Sequence, residues 1–113
     1  REYHTSDDNM NFVKPEHMKL SYDIYSKCIR AIEKNATFRT KKLCEPQLSK
    51  RNLYPTTGAS TSVNQSLDDI MAILSYSDGT NDLLEIADIH ERSILNYFEP
   101  AKKLLDHKLI KQL

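Results

Sequence analysis

Little in this sequence is suited to cradling a phosphate, spanning a membrane or forming a redox pair. With two glycines in 113 residues it has no glycine-rich phosphate loop, and neither a Gly-x-Ser-x-Gly elbow nor a His-Glu-x-x-His helix occurs. No apolar run approaches the ~20 residues of a membrane-spanning helix. Cys28 and Cys44 lie sixteen positions apart, which is neither a CxxC redox pair nor half of a cysteine-rich zinc site. They are expected to pack as small hydrophobes in a reducing, cytoplasmic setting. No secretory leader follows Arg1, and a start at Arg1 suggests a chain trimmed from a longer one. Net charge is absent too, with 16 basic and 16 acidic side chains.

What is present can support a modest core. A chain of this size buries roughly 65% of its unfolded surface on folding, and an apolar fraction of 39% against 28% charged is ordinary for a globular protein. The neutral sum hides an asymmetry. Residues 1–65 hold 11 basic and 7 acidic side chains, whereas residues 66–113 hold 5 and 9. An acidic half is poorly equipped to neutralise phosphates, so nucleic acid is disfavoured as its partner and two structural units are expected.

After a short polar segment, Pro15 and Glu16 mark a helix N-terminus. From there Met18, Tyr22, Tyr25, Ile29 and Ile32 recur at spacings of three and four, which predicts an amphipathic helix of about five turns ending near Asn35. Thr37-Phe38-Arg39 has the composition of a short strand. The stretch up to residue 65 has no period and reads as a basic linker anchored by Leu43, Leu48, Leu53 and Tyr54. The Lys41-Lys42 and Lys50-Arg51 pairs read as solvated charge, since no aromatic platforms are interleaved with them.

The last third is the most patterned. Ser66 with Asp69 offers a capping box for a first helix that stops at Asp78-Gly79. Thr80, Asn81 and Asp82 supply caps for a second helix ending near His90. Ser93 caps a third with Ile94, Leu95, Phe98, Ala101, Leu104 and Leu105 facing inward, and residues 109–113 read as a terminal strand. Three short helices and a strand make a winged helix-turn-helix. Pro100 inside the third helix should cost about 3 kcal/mol unless the helix bends, so a kink is expected near Asn96. A kinked helix with acidic surroundings is a second mark against reading DNA. His17, His90 and His107 have no partner at metal-ligand spacing and are expected on the surface or at helix ends.

Three segments then resemble a known family. Tyr3-His4-Thr5-Ser6-Asp7-Asp8, followed by a loop and a long helix, is similar to the end of the peptidase domain in bacterial di-zinc aminopeptidases. Residues 44–55, Cys-Glu-Pro-Gln-Leu-Ser-Lys-Arg-Asn-Leu-Tyr-Pro, resemble the segment after that helix in the aminopeptidase-like subgroup linked with surface-polysaccharide gene clusters. There Ser49 and Asn52 stand where glycines are expected. Residues 76–87 resemble the winged-helix module that ends those proteins.

The resemblance implies a mainly α chain with little β, organised as the tail of a zinc-peptidase α/β domain over 1–40, an irregular linker over 41–65 and a winged helix-turn-helix over 66–113. It implies that His4 is a zinc ligand, with Asp7 or Asp8 the nearby acid that fixes the loop or acts behind the ligand. A co-catalytic zinc pair needs about five ligands and a carboxylate base, and His4 is the one candidate here. The chain is therefore expected to be non-catalytic by itself, with the remainder of the peptidase domain as its partner and with homo-oligomerisation left open. The competing reading is a free-standing winged helix-turn-helix that binds nucleic acid or protein, with the first helix as a dimerisation arm.

Overall fold

The computed structural model describes the backbone of residues 1–54 and 61–113 and the side chains of residues 1–54 and 65–113. The chain divides into two units, residues 1–33 and 34–113.

The first unit is a run of turns leading into helix α1 (Pro15–Lys34), which opens with the proline and glutamate that mark its start in the sequence. No residue of α1 is buried. Met18, Tyr22, Tyr25, Ile29 and Ile32 are each more than half exposed, although their spacing is that of a core-facing stripe. Cys28 and Cys44 are also exposed and free, contrary to the expectation that they pack inside.

The second unit holds the core. Its elements are strand β1 (Thr37–Thr40), a single 3-10 turn (Ser49–Arg51), α2 (Thr61–Tyr76), β2 (Asp78–Asp82), α3 (Leu83–Ile89), a second 3-10 turn (Ile94–Asn96), α4 (Phe98–Asp106) and β3 (Ile110–Gln112). The strands form an antiparallel sheet in the order β2-β1-β3. Beyond the ladder, the Thr40 amide donates to the Ser77 carbonyl at 2.7 Å and the Lys41 amide to that of Leu109 at 2.8 Å. Phe38, Ile70, Ile73, Leu83, Ile86, Leu104, Leu109 and Ile110 are buried between the sheet and the helices. Phe38 and Ile110 alternate with exposed Arg39 and Lys111, as a half-buried sheet requires.

The expected domain boundaries change accordingly. The winged unit does not begin at residue 66, because β1 is the central strand of its sheet. The stretch read as a linker is partly tied down, with Leu48 and Leu53 buried, whereas Leu43 is fully exposed and Tyr54 mostly so. Asn52 sits at φ 54, ψ 28. Asparagine is the residue after glycine that best tolerates this left-handed conformation, so it fills the turn without glycine.

The helices also differ in detail. α2 starts at Thr61, so Ser66 and Asp69 lie inside the helix and form no capping box there. Residues 78–82, read as a stop and a cap, form β2 as well. The cap itself is found as expected: the Asp82 carboxylate accepts from the Glu85 amide at 2.8 Å while Glu85 Oε2 accepts from the Asp82 amide at 2.7 Å. Asn35 braces this end, donating to Asp82 Oδ2 at 2.7 Å and accepting from the Leu84 amide at 3.1 Å.

Ser93 caps a 3-10 turn, and the chain re-forms a helix only at Phe98. Pro100 is therefore the third residue of α4, in the first turn where amides have no intrahelical partner, and the expected penalty does not arise. No helix among the described residues is long and apolar enough to cross a membrane.

Candidate functional site

The Tyr3–Asp8 segment is built by short-range hydrogen bonds. Thr5 donates its amide (3.1 Å) and its hydroxyl (2.6 Å) to the Glu2 carbonyl, and its Oγ1 accepts from the Asp7 amide at 3.2 Å. Asn9 continues the pattern: its Nδ2 donates to the Ser6 carbonyl and its Oδ1 accepts from the Asn11 amide, both at 2.9 Å. Thr5 and Asn9 thus hold the loop, where the resemblance had pointed to Asp7 or Asp8. The Thr and Asn turn chemistry of the run was a signal that could have named them.

His4 takes φ 62, a left-handed conformation, and its ring lies 3.9 Å from that of Tyr3, tilted by 38°. His4, Asp7 and Asp8 are all exposed. Among the described residues no group of three His, Cys, Asp or Glu side chains could hold a metal ion. A single imidazole does not build a zinc centre, so this donor set alone does not fit a zinc pair.

The helix-turn-helix offers a second candidate surface. Seven-residue α3 buries Leu83, Ile86 and Ala87 and turns Leu84, Glu85, Asp88 and Ile89 outward. Helical spacing places the two carboxylates between the two aliphatics. On α4 the exposed residues are Glu99, Lys102, Lys103 and Asp106, a balanced set. A helix meant for a major groove needs an excess of donors and cations aimed at phosphates and base edges, whereas here the two lysines are matched by two carboxylates. His90 and His107 are the C-cap residues of α3 and α4, as expected from their place beside helix ends.

Behind that surface is a polar cluster that sequence reasoning missed. Asp69 of α2, nearly fully buried, has Oδ1 2.9 Å from Nη1 of Arg92 in the turn after α3. The contact is ionic without a well-aligned hydrogen bond, since Asp69 Oδ1 and the buried Tyr97 hydroxyl have no hydrogen-bond partner among the described residues. Burial pushes the Asp69 carboxyl above the usual carboxylate value, and the Arg92 charge only partly offsets this. Burial, reinforced by the Asp69 charge, likewise raises Tyr97. Asp69 was expected in a capping box with Ser66; with α2 starting at Thr61, it instead couples α2 to the turn after α3.

Comparison with known proteins agrees with this layout. Residues 36–112 match the family model described as winged helix-turn-helix, and residues 1–35 match the domain of unknown function DUF4910. Over 86 residues, 75% of this chain, it is 37% identical to a Clostridium acetobutylicum protein provisionally described as a polysaccharide biosynthesis protein with an aminopeptidase-like domain. A crystal structure of a provisionally assigned peptidase from Clostridium acetobutylicum superimposes on the whole chain with a TM-score of 0.81 at 30% identity. The chain spans 20% of the length of the first and 24% of the second. The resemblance read from residues 3–8, 44–55 and 76–87 is thus met again in relatives of both descriptions. With more than half of its residues matched by one family model, the chain belongs to the winged helix-turn-helix family.

Proposed function

We propose that this chain serves as the C-terminal part of a zinc-dependent aminopeptidase-like hydrolase, to which it contributes one metal-ligating imidazole, His4, and a winged-helix module that binds protein. The observation that carries the reading is α1. A helix with a core-type stripe and no buried residue has been shaped to pack against something outside its own unit. The relative with an aminopeptidase-like domain, five times longer than the aligned stretch, offers such a body. In this reading α1 lies against the remainder of the peptidase domain, and the Thr5 and Asn9 turns present His4 to ligands supplied from elsewhere.

Zinc, where held, would act there as a Lewis acid on the scissile carbonyl. This chain's own part is narrower: His4 would offer a ring nitrogen to the metal, with the carboxyls of Asp7 and Asp8 three and four positions on as candidates to stand behind it. Among the described residues no cluster of metal-holding side chains accompanies His4, which supports a chain that is not catalytic alone, and a cytoplasmic location suits its free cysteines. The test is anomalous diffraction at the zinc edge on crystals of the complete protein. The reading expects a peak about 2.0–2.1 Å from a ring nitrogen of His4. A filled zinc site that leaves His4 free would refute it.

The alternative, a nucleic-acid reader, has the winged-helix family in its favour. Against it stand the balanced exposed side of α4 and the carboxylates of α3.

A further inference from the structure

We propose that the cleft between the Ser49–Arg51 turn and helices α2 and α4 binds a small phosphomonoester whose phosphate is carried on an apolar or aromatic body. The cleft holds about 360 Å³, within the ~300–1,000 Å³ range of small-ligand sites. Its floor is apolar: Leu53 and Ile70 are buried and Leu67 is half-buried. Three basic side chains from two elements stand around that floor, Arg51 from the turn and Lys103 and His107 from the end of α4. Lys103 and His107 are four positions apart, so one helical face presents both.

No carboxylate lines the cleft, and among the described residues none of Arg51, Lys103 and His107 forms an ion pair. The acids of the surrounding elements face elsewhere. Glu99, one turn before Lys103, lines a separate cleft with Asp69 and Arg92. Asp106 is spaced for Lys102, and exposed Asp68 stands outside the cleft wall. Glu45 borders a neighbouring cleft that Arg51 also touches, and there Lys41 and Lys42 accompany it. Residues 55–64, Pro-Thr-Thr-Gly-Ala-Ser-Thr-Ser-Val-Asn, bring no charge of either sign. The positive charge over the apolar floor is therefore left for a ligand.

A phosphomonoester carries a charge of about −1.5 to −2 at pH 7 and three acceptor oxygens. The permanent charges of Arg51 and Lys103 balance it, and His107 adds a further donor. Arg51 is held in place by Nη1, which donates to the Gln47 carbonyl at 2.9 Å and uses one of the five guanidinium donors. A carboxylate would be satisfied by the guanidinium fork alone and would leave Lys103 unmatched. Exposed Tyr54 at the rim offers a ring to a flat body. Nucleic acid fits less well, since proteins bound chiefly through phosphates make about six to ten such contacts and this cleft offers three basic groups.

The site is independent of the role proposed for His4. Its test is amide chemical-shift mapping of the whole chain with phenyl phosphate, beside inorganic phosphate, benzyl alcohol and a short DNA duplex. Phenyl phosphate should shift residues 51–54 and 103–107 and bind about tenfold more tightly than inorganic phosphate or benzyl alcohol, because each of these keeps only half of the contacts. Lys103→Gln and Arg51→Gln should each weaken it about tenfold. Lys102→Gln, on the same helix but outside the cleft, should leave it unchanged. No shift in these residues, binding that ignores Lys103→Gln, or equal weakening by Lys102→Gln overturns the site. Inorganic phosphate that binds as tightly as phenyl phosphate overturns the apolar body, and a duplex that shifts the same residues at lower concentration overturns the small-molecule assignment.

Discussion

At the scale of single residues, the Asp69–Arg92 contact makes the clearest demands. Removing Arg92 leaves a buried carboxylate unpaired. Because the guanidinium is partly exposed, Arg92→Ala should cost about 1–2 kcal/mol, read from urea unfolding. The pH dependence has a definite sign. A carboxyl whose folded value is raised binds more protons folded than unfolded, so its contribution is fully present below the unfolded value and is lost as pH rises through the folded one. Unfolding free energy should therefore fall as pH climbs just above the ordinary carboxylate range. Asp69→Asn should flatten that slope; an unchanged slope would show that Asp69 does not titrate there. Gly79 gives a third residue-level test. At φ 97 and against Arg39, Gly79→Ala should destabilise by about 1–2 kcal/mol.

At the scale of elements, legibility followed the strength of local signals. α1 was readable because proline at its start and a long apolar stripe agree, and α3 because its capping box is written in four consecutive residues. The missed strand β2 is spelled Asp-Gly-Thr-Asn-Asp, turn and cap chemistry that only pairing with β1 converts to a strand. The start of α2 was misplaced because Ser66 and Asp69 imitate a capping box within the helix. Pro100 was informative: periodicity alone runs from Ile94 and Leu95 into Phe98 and Ala101 without interruption, and the proline marks the interruption near Asn96 that the structure shows as the change from a 3-10 turn to α4. Helix ends make their own prediction. Lys108 closes α4 at φ 55 while the Leu109 amide donates to the Leu104 carbonyl at 2.9 Å. Lys108→Gly should therefore stabilise the winged unit by about 0.5–1 kcal/mol, measured as a shift in the denaturation midpoint.

At the scale of the whole molecule, the charge asymmetry between residues 1–65 and 66–113 does not follow the structural units. Once β1 and the segment after it are counted with the winged unit, residues 34–113 carry 11 basic and 10 acidic side chains, and the acidic half disappears as a unit property. What remains is a local feature, the carboxylates on the outer side of α3, while on the sheet Arg39 of β1 is paired in register with Asp78 of β2. The candidate site was legible to the extent that the Tyr3–Asp8 run names His4. The residues that hold the loop, Thr5 and Asn9, were not, because the family pattern draws the eye to ligands over turn formers. The role proposed for His4 calls for ligands from beyond this chain, which spans a fifth to a quarter of the length of the relatives it matches. The most direct test is zinc content and aminopeptidase activity of the complete protein, native and as His4→Ala, with His17→Ala as a control. The account predicts that His4→Ala loses zinc together with activity while His17→Ala keeps both; unchanged zinc and activity in His4→Ala would contradict it.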